Sequence, residues 1–178
     1  MKFSINHSGN REEIKQLFTK SFSESEGLSE GLLIGDLTYD LMTMTNPQDY
    51  YCFIATEKEQ IVGSIFFSRL MFESGVNAFL LGPVAIHPSY QGKGIGQKLI
   101  NFGLNTIQED GIELVFTYGD PNFYIKVGFQ PISEKLAKAP LKLKYPEGWL
   151  AQSLVSDEIK PIAGNSKCVE AIAKPEFW

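Results

Sequence analysis

Cysteine is scarce in this sequence, which has only Cys52 and Cys168 in a chain of 178 residues. The two lie far apart and form no Cys-x-x-Cys pair, which argues against a disulfide framework. Cys52 stands in the apolar run 50–55, a position that predicts a small buried side chain. Histidine is equally rare, since His7 and His87 are the only two. No set of His, Cys and carboxylate residues has the spacing of metal ligands, so we expect no metal.

Long apolar runs and an excess of basic residues are also missing. The longest apolar run, Ala78 to Ile86, is interrupted by Gly82-Pro83 and is far too short to span a membrane. The first ten residues lack the apolar stretch of a signal peptide. The formal net charge is -5, whereas nucleic acids and anionic membranes attract basic surfaces. We therefore expect a cytoplasmic protein that binds neither nucleic acid nor membrane.

The composition, with 43% apolar and 21% charged residues, predicts a single domain over 1–178. We expect its core over about 1–145 and a C-terminal extension over about 146–178. Ser8 or Asn10 is the expected N-cap of the first helix. Apolar periodicity and turn residues predict strands at 2–6, 50–56, 60–71, 78–86, 112–117 and 141–145, helices at about 11–23, 32–44, 95–109, 121–126 and 149–154, and an extended piece at 169–173. This order predicts an α/β fold in which helices cover a mixed sheet.

A glycine-rich segment, Gln91-Gly92-Lys93-Gly94-Ile95-Gly96, separates the predicted strand at 78–86 from the helix at 95–109. The first turn of a helix carries unpaired backbone amides and a partial positive charge. Glycines let an anion approach those amides, and Lys93 and Lys98 would add positive charge. On the residues alone, an anion site and a simple turn between strand and helix both stay open, because short glycine motifs are common.

Two nucleotide-binding motifs do not fit this segment. A P-loop requires Ser or Thr after its Gly-Lys pair, but Gly94 follows Gly92-Lys93. A Rossmann fingerprint requires a third glycine at the position of Gln97. Glu113 also falls at the start of its predicted strand, where it could not reach a ribose. A nucleotide-binding domain of either kind is therefore not expected.

Two segments together resemble the GNAT superfamily of acetyl-CoA-dependent N-acetyltransferases. In the first, Gln91, Gly94 and Gly96 match the family pattern [QR]-x-x-G-x-[GA] at the start of a helix. The second, FYIKVGF at 123–129, is similar to the family's later tyrosine motif. The loop before it and the C-terminal tail resemble a bacterial, YhbS-like branch of predicted acetyltransferases. The resemblance implies a mixed, mainly antiparallel sheet with a splayed central strand pair and helices on both faces.

The resemblance also implies acetyl-CoA as co-substrate and an amine of a small molecule, peptide or protein as acceptor. The backbone of Val84–Ile86 would pair with the pantetheine arm like an added strand, and its amides would stabilise an oxyanion. The segment 92–97 would hold the pyrophosphate. The implied cofactor-binding residues are Val84, Ala85, Ile86, Gln91, Gly92, Lys93, Gly94, Ile95, Gly96 and Gln97. Tyr124 is implied as the general acid, since a phenol is protonated at neutral pH.

The interrupted strand supports this arrangement independently. Proline cannot donate to a strand ladder, so Gly82-Pro83 favours a bulge over an ordinary bend. A bulge would separate this strand from the one at 112–117 and open a gap for the thioester.

A general base is not apparent in the sequence. The runs 78–86 and 114–118 contain no acidic residue. Asp120 is a candidate, although its place before a proline favours a turn-forming role. Glu24 and Glu26 could attract a cationic amine but are more typical of solvated charges. A water relay or an amine that arrives neutral would also suffice.

Other departures concern the asparagine that many family members carry before the tyrosine. Thr117 stands at that spacing here, and Asn122 is too close to Tyr124 to replace it. Because no general base is apparent, a non-catalytic CoA-binding module with the same fold stays open as an alternative. The sequence identifies neither the acceptor nor the choice between monomer and homodimer.

Overall fold

The computed structural model describes residues 1–7 and 9–178, so the predicted cap Ser8 lies outside the described residues. The helices are Arg11–Glu26 (α1), Leu28–Met44 (α2), Ile95–Glu109 (α3) and the short Pro121–Tyr124 (α4). The strands are Lys2–Ile5 (β1), Tyr50–Glu57 (β2), Gln60–Phe72 (β3), Ala78–Ile86 (β4), Leu114–Tyr118 (β5), Gln130–Pro131 (β6), Trp149–Ser153 (β7) and Ser166–Cys168 (β8). No helix in the described part of the chain is long and apolar enough to cross a membrane.

The strands form one eight-stranded sheet in the order β1-β2-β3-β4-β5-β7-β6, and β8 pairs with β3. The pair β4–β5 is parallel, whereas β1–β2, β3–β8, β5–β7 and β6–β7 are antiparallel. The predicted mixed, mainly antiparallel sheet is thus confirmed. The register of β4 with β5 runs from Ala78↔Leu114 to Leu81↔Thr117, although β4 itself continues to Ile86. Pairing therefore ends where Gly82, with a φ of 146°, precedes Pro83.

The chain divides into two compact units, one of residues 1–67 with 83–103 and one of residues 68–82 with 104–178. In the first unit, Asn10 stands at the N-cap of α1, but its side chain makes no capping hydrogen bond. Instead its carbonyl accepts from the Ile14 amide at 2.9 Å. Cys52 is 1% exposed, as its apolar surroundings predict, and burial raises the pKa of its thiol to about 12. It is therefore a core side chain and not a nucleophile.

The apolar stripe of α3 behaves as its periodicity predicts. Every member of it is buried: Ile95, Leu99, Ile100, Leu104 and Ile107. This burial fixes the direction of α3 and with it the position of the loop that precedes the helix.

Aromatic side chains hold the core of the second unit. The Phe116 and Trp149 rings stack at 5.2 Å between centroids, and Trp178 packs edge-on against Trp149 at 6.1 Å. Tyr118 stacks on the other side of Trp178 at 5.8 Å. The Trp149 indole donates to the Ala137 carbonyl at 2.9 Å, so its one polar group is paired. The last residues of the chain thus belong to the core beside β5.

Three predictions in the C-terminal part are wrong. The predicted helix at 149–154 is β7, which pairs with β5 from Tyr118↔Trp149 to Leu114↔Ser153. A five-residue segment, here WLAQS, is too short for its periodicity to distinguish a helix from a strand, and a partner distant in sequence decides. The predicted strand at 141–145 is irregular, and its Tyr145 amide donates to the Tyr118 hydroxyl at 2.7 Å.

The extended piece predicted at 169–173 is also displaced. A 3₁₀ turn occupies Glu170–Ile172, and the strand, β8, comes just before it. Cys168 of β8 pairs with Leu70 of β3, a partner that no local pattern indicates.

Helices α1 and α2 pack closely because two glycines of α2 face α1. The connection between the two predicted helices, 11–23 and 32–44, is shorter than expected, since Gly27 alone joins them and α2 begins at Leu28 instead of residue 32. A Cβ on Gly31 would overlap the Ser23 hydroxyl and lie 2.5 Å from the Thr19 carbonyl oxygen. Because that carbonyl belongs to the backbone of α1, no side-chain rotation can relieve the clash.

We predict that Gly31→Ala lowers the free energy of unfolding by about 1–3 kcal/mol, the usual cost of overpacking. Gly35→Ala should cost less, since the nearest atom to its added Cβ is the rotatable Thr19 hydroxyl. Urea denaturation measures both. Leu32→Ala on the exposed face of α2 is the control and should change stability by about 0.5 kcal/mol or less. Equal stability of Gly31→Ala and wild type would contradict the close packing of the two helices.

Candidate functional site

The loop between β4 and α3 depends on two glycines with left-handed backbone. Gly92 and Gly94 both have a φ of 73°, which side chains other than glycine rarely tolerate. No atom lies within 4 Å of the Cβ position of either residue, and both are exposed. The backbone geometry therefore requires glycine, while the space in front of the loop is open.

The start of α3 presents backbone amides at this loop. Lys98 donates the first backbone hydrogen bond of the helix, to the Gly94 carbonyl at 3.1 Å. The amides of Ile95, Gly96 and Gln97 precede that bond, so the helical ladder does not use them. Together with the partial positive charge of the helix start, they suit an anionic group such as a pyrophosphate. The residues present thus fit the predicted cofactor group.

The Lys93 side chain points toward the turn that precedes the glycine loop. Its ammonium donates to the Ser89 carbonyl at 3.1 Å and lies 5.1 Å from the centroid of the Tyr90 ring. Its charge is therefore near the loop, but the side chain stabilises the 3₁₀ turn Pro88–Tyr90. Lys98 is exposed on the first turns of α3.

The last carbonyl of β4 joins the strand, the loop and α1. The Ile86 carbonyl accepts from the Ser21 hydroxyl at 3.0 Å and from the Gln91 side-chain amide at 3.0 Å. The same amide lies 3.4 Å from the Ser21 hydroxyl, and Ser21 is 6% exposed. Gln91, which the sequence marks by its match to the family pattern, thus anchors the loop to the strand.

The backbone N–H and C=O groups of successive residues in β4 point alternately toward β3 and away from it. The His87 amide donates to the Val62 carbonyl of β3 at 2.8 Å. Because neighbouring residues of a strand point their polar groups to opposite sides, those of Ala85 also face β3. The polar groups of Val84 and Ile86 face away from β3. Of the three residues implied in pantetheine pairing, these two therefore present backbone groups to an added strand.

No sequence pattern indicates two residues of α1 that lie at this site. The first is Ser21, described above, and the second is Lys20, whose Nζ lies 3.1 Å from Nε2 of His87. The other ring nitrogen of His87 accepts from the Ser89 amide at 3.3 Å, so His87 caps the turn that follows β4. Neither α1 residue forms a motif with the loop, because their proximity comes only from the packing of α1 near the end of β4.

The predicted catalytic tyrosine lies in the second unit, at the end of α4. Asp120 is the N-cap of this helix, and its carboxylate accepts from the Asn122 amide at 2.9 Å. The turn-forming role expected for Asp120 is therefore present. Asn122 is exposed and serves the cap through its backbone.

Close packing fixes the Tyr124 ring. A Cβ on Gly119 would lie 2.8 Å from Cε2 of the ring, so only glycine leaves room for it there. The ring also packs edge-on against Phe123 and Phe129, at 5.1 Å and 5.8 Å between centroids. Gly128 and Phe129, which complete the sequence motif, follow directly in the turn that ends α4.

The environment of Tyr124 keeps its phenol protonated. Burial is the main cause that raises the pKa of Tyr124 above 10, and the Asp120 charge acts in the same direction. A hydrogen bond with the Thr117 hydroxyl lowers the pKa without reversing the shift. Tyr124 is thus a proton donor across the neutral pH range.

The structure offers no obvious carboxylate base on the central strands. Glu24 and Glu26 are exposed in the last turn of α1, which continues beyond the predicted helix end at residue 23. Burial and the neighbouring Glu30 raise the pKa of Glu26. Across residues 1–7 and 9–178, no group of three or more His, Cys, Asp or Glu side chains could hold a metal ion.

The fold and these two sets of residues resemble those of GNAT acetyltransferases. The family model of the acetyltransferase (GNAT) domain matches residues 48–131, which include the glycine loop, Tyr124 and Phe129. The chain is similar to this family over that segment, which supports the resemblance that the sequence suggested.

Relatives of similar length resemble this chain over most of its residues. The chain is 25% identical to the uncharacterized N-acetyltransferase YjhQ of Escherichia coli K12 over 94% of this chain and 92% of the relative. It is 27% identical to the uncharacterized N-acetyltransferase YhbS of the same strain over 85% and 86%.

Solved structures show the same fold. The crystal structure of Escherichia coli YhbS in complex with CoA aligns with a TM-score of 0.81 at 22% identity, over 98% of this chain and 92% of that one. A GNAT acetyltransferase from Brucella melitensis in complex with acetyl-CoA aligns with a TM-score of 0.72 at 23% identity, over 96% and 98%.

We predict that Tyr124 makes folding stability depend on pH in the alkaline range. Its pKa is higher in the folded than in the unfolded chain, so its contribution is present below about pH 10 and is lost as the pH rises through the folded value. Wild type should therefore lose more stability than Tyr124→Phe between about pH 9 and 11. Denaturant titrations of both proteins at several pH values measure this difference. Parallel losses in the two proteins would contradict the raised pKa.

Proposed function

We propose that this protein transfers the acetyl group of acetyl-CoA to an amine. The observation that carries the proposal is the open amide cradle of Gly92–Gln97 at the end of β4. An anionic cofactor needs such a cradle, and CoA carries a pyrophosphate. The related structures in complex with CoA and acetyl-CoA support the choice of ligand.

The residues of the first unit would bind and orient the cofactor. The amides of Ile95, Gly96 and Gln97 would donate to the pyrophosphate, with Gly92 and Gly94 leaving the approach free. The backbone groups of Val84 and Ile86 that face away from β3 would pair with the pantetheine arm. The Ile86 carbonyl already has two donors, which leaves its amide and both groups of Val84 for this pairing.

Tyr124 would supply the proton that the reaction requires. Acetyl-CoA provides the acetyl group as a thioester, whose cleavage by an amine leaves a thiolate. Tyr124 would donate to that sulfur, because its raised pKa keeps the phenol protonated. With no carboxylate on β4 or β5, the amine would lose its proton through water or arrive neutral. The same absence favours, as the second candidate, a module that binds CoA without turnover.

We predict that Gly94→Val reduces acetyl-CoA affinity at least about tenfold, because the side chain blocks the amides and strains the loop. Gly75→Val is the matched control, since Gly75 also has a positive φ, 77°, with no atom within 4 Å of its Cβ position. Calorimetric titration with acetyl-CoA measures the affinity, and thermal melts compare the strain in the two variants. Unchanged affinity in Gly94→Val would mean that the loop is only a turn. An absence of binding to wild type would contradict both candidate functions.

We predict that Tyr124→Phe lowers kcat by about 10²-fold or more, with a smaller effect on the KM for acetyl-CoA, because the proton is needed only as the thiolate leaves. A panel of small-molecule, peptide and polyamine acceptors, assayed for release of free CoA, supplies the substrate for this measurement. Phe123→Leu, a change in the neighbouring aromatic ring, controls for repacking. Wild-type kcat in Tyr124→Phe would contradict the acid role. Binding of acetyl-CoA without turnover on any acceptor would favour the CoA-binding module.

A further inference from the structure

Ser21 is a buried polar side chain of α1 that lies at the end of β4. It is 6% exposed, and its hydroxyl donates to the Ile86 carbonyl at 3.0 Å. The side-chain nitrogen of Gln91 lies 3.4 Å from the same hydroxyl oxygen. A serine inside a helix commonly bonds to a carbonyl of its own helix or points to solvent. The Ser21 hydroxyl instead bonds to β4 and the glycine loop, two elements distant from it in sequence.

The three groups form a closed set of hydrogen bonds. The single hydrogen of the Ser21 hydroxyl is directed to the Ile86 carbonyl, so its oxygen is the acceptor in the contact with Gln91. The Gln91 amide has two hydrogens, of which one reaches Ser21 and the other reaches the Ile86 carbonyl at 3.0 Å. Both lone pairs of the carbonyl and both hydrogens of the amide are therefore engaged.

The Ile86 carbonyl is the last backbone group of β4 that faces away from β3. The next residue, His87, donates its amide to the Val62 carbonyl of β3 at 2.8 Å. Because two side chains occupy the Ile86 carbonyl, an added strand can pair with β4 only as far as the Ile86 amide. At the same point Gln91 brings the start of the glycine loop against the strand.

We propose that Ser21 is a positioning residue for the cofactor site, which holds the Gln91 side chain and closes the Ile86 carbonyl to the pantetheine arm. This role rests on the proposed function, in which the arm pairs with β4 and the loop holds the pyrophosphate. Fixing Gln91 before the cofactor binds orders the start of the loop, so less conformational entropy is lost on binding. Closing the carbonyl also fixes the place where the arm leaves the strand.

Calorimetric titration with acetyl-CoA tests this role without a known acceptor. We expect Ser21→Ala to bind acetyl-CoA about fivefold more weakly than wild type, because Gln91 loses one partner and the Ile86 carbonyl loses one donor. Ser21→Thr keeps the hydroxyl and should bind more tightly than Ser21→Ala. Wild-type affinity in Ser21→Ala, or equal losses in the alanine and threonine variants, would overturn the proposal.

Thr38→Val is the matched control. Thr38 is 0% exposed in the same compact unit, and its hydroxyl also donates to a backbone carbonyl, that of Gly35, at 2.8 Å. Its replacement removes a buried hydroxyl away from the loop and should leave acetyl-CoA affinity within about twofold of wild type. A loss as large as that of Ser21→Ala would overturn the proposal, because a general loosening of the unit would then explain both.

A double-mutant cycle tests the route through Gln91. Gln91→Ala should itself weaken acetyl-CoA binding, because the start of the loop loses its anchor on the strand. Residues in one hydrogen-bond network act together, so Ser21→Ala should have a smaller effect in the Gln91→Ala background than in wild type. An undiminished effect in that background would overturn the assigned route.

NMR of the free protein separates this proposal from the proposed function. In ¹H–¹⁵N spectra, Ser21→Ala should shift the side-chain amide signals of Gln91 and the backbone signals of Gly92 and Gly94, whereas Thr38→Val should leave them in place. Unchanged Gln91 signals in Ser21→Ala would overturn the role of Ser21 even where wild type binds acetyl-CoA. An absence of acetyl-CoA binding to wild type would remove the proposed function, while the Gln91 signals would still decide whether Ser21 holds the loop.

Discussion

The backbone of β4 changes its hydrogen-bond partners along its length, and the rest of the site depends on this change. From Ala78 to Leu81 it pairs with β5, and the pairing ends before Gly82 and Pro83. A proline cannot donate to a ladder, so this is where a central strand can leave its neighbour. Beyond it, the backbone of Val84 and the amide of Ile86 face away from β3. Backbone groups that face away from β3 can pair with an added strand, and this is the pairing that we propose for the pantetheine arm.

Polar side chains form hydrogen bonds to β4 on both sides of Gly82-Pro83. On one side, the Thr117 hydroxyl donates to the Leu81 carbonyl. On the other, Ser21 and Gln91 both donate to the Ile86 carbonyl. Each of these hydrogen bonds satisfies a backbone carbonyl of β4. They therefore stabilise the fold, and the one from Gln91 also anchors the glycine loop.

The first part of the chain was predictable because its patterns are local. The stripe of α3, the strand β4 and the glycine loop follow from periodicity and from residues within a few positions of one another. From residue 141 onward the prediction largely failed. There β7 forms because β5 pairs with it, and β8 forms because β3 pairs with it. Strands of three to five residues carry no periodicity of their own, so distant partners decide their structure.

The sequence by itself indicated the resemblance to GNAT acetyltransferases and the residues that carry it, namely the glycines of the loop, Gln91 and Tyr124. Glycine at a positive φ and tyrosine as a donor follow from the chemistry of the residue, wherever the fold places it. Only the tertiary structure decided what these residues contact. It placed the Lys93 ammonium on the Ser89 carbonyl, brought Ser21 to the end of β4 and placed the Thr117 hydroxyl on the Leu81 carbonyl. Such contacts join residues that are remote in sequence, and their formation depends on the packing of whole helices and strands.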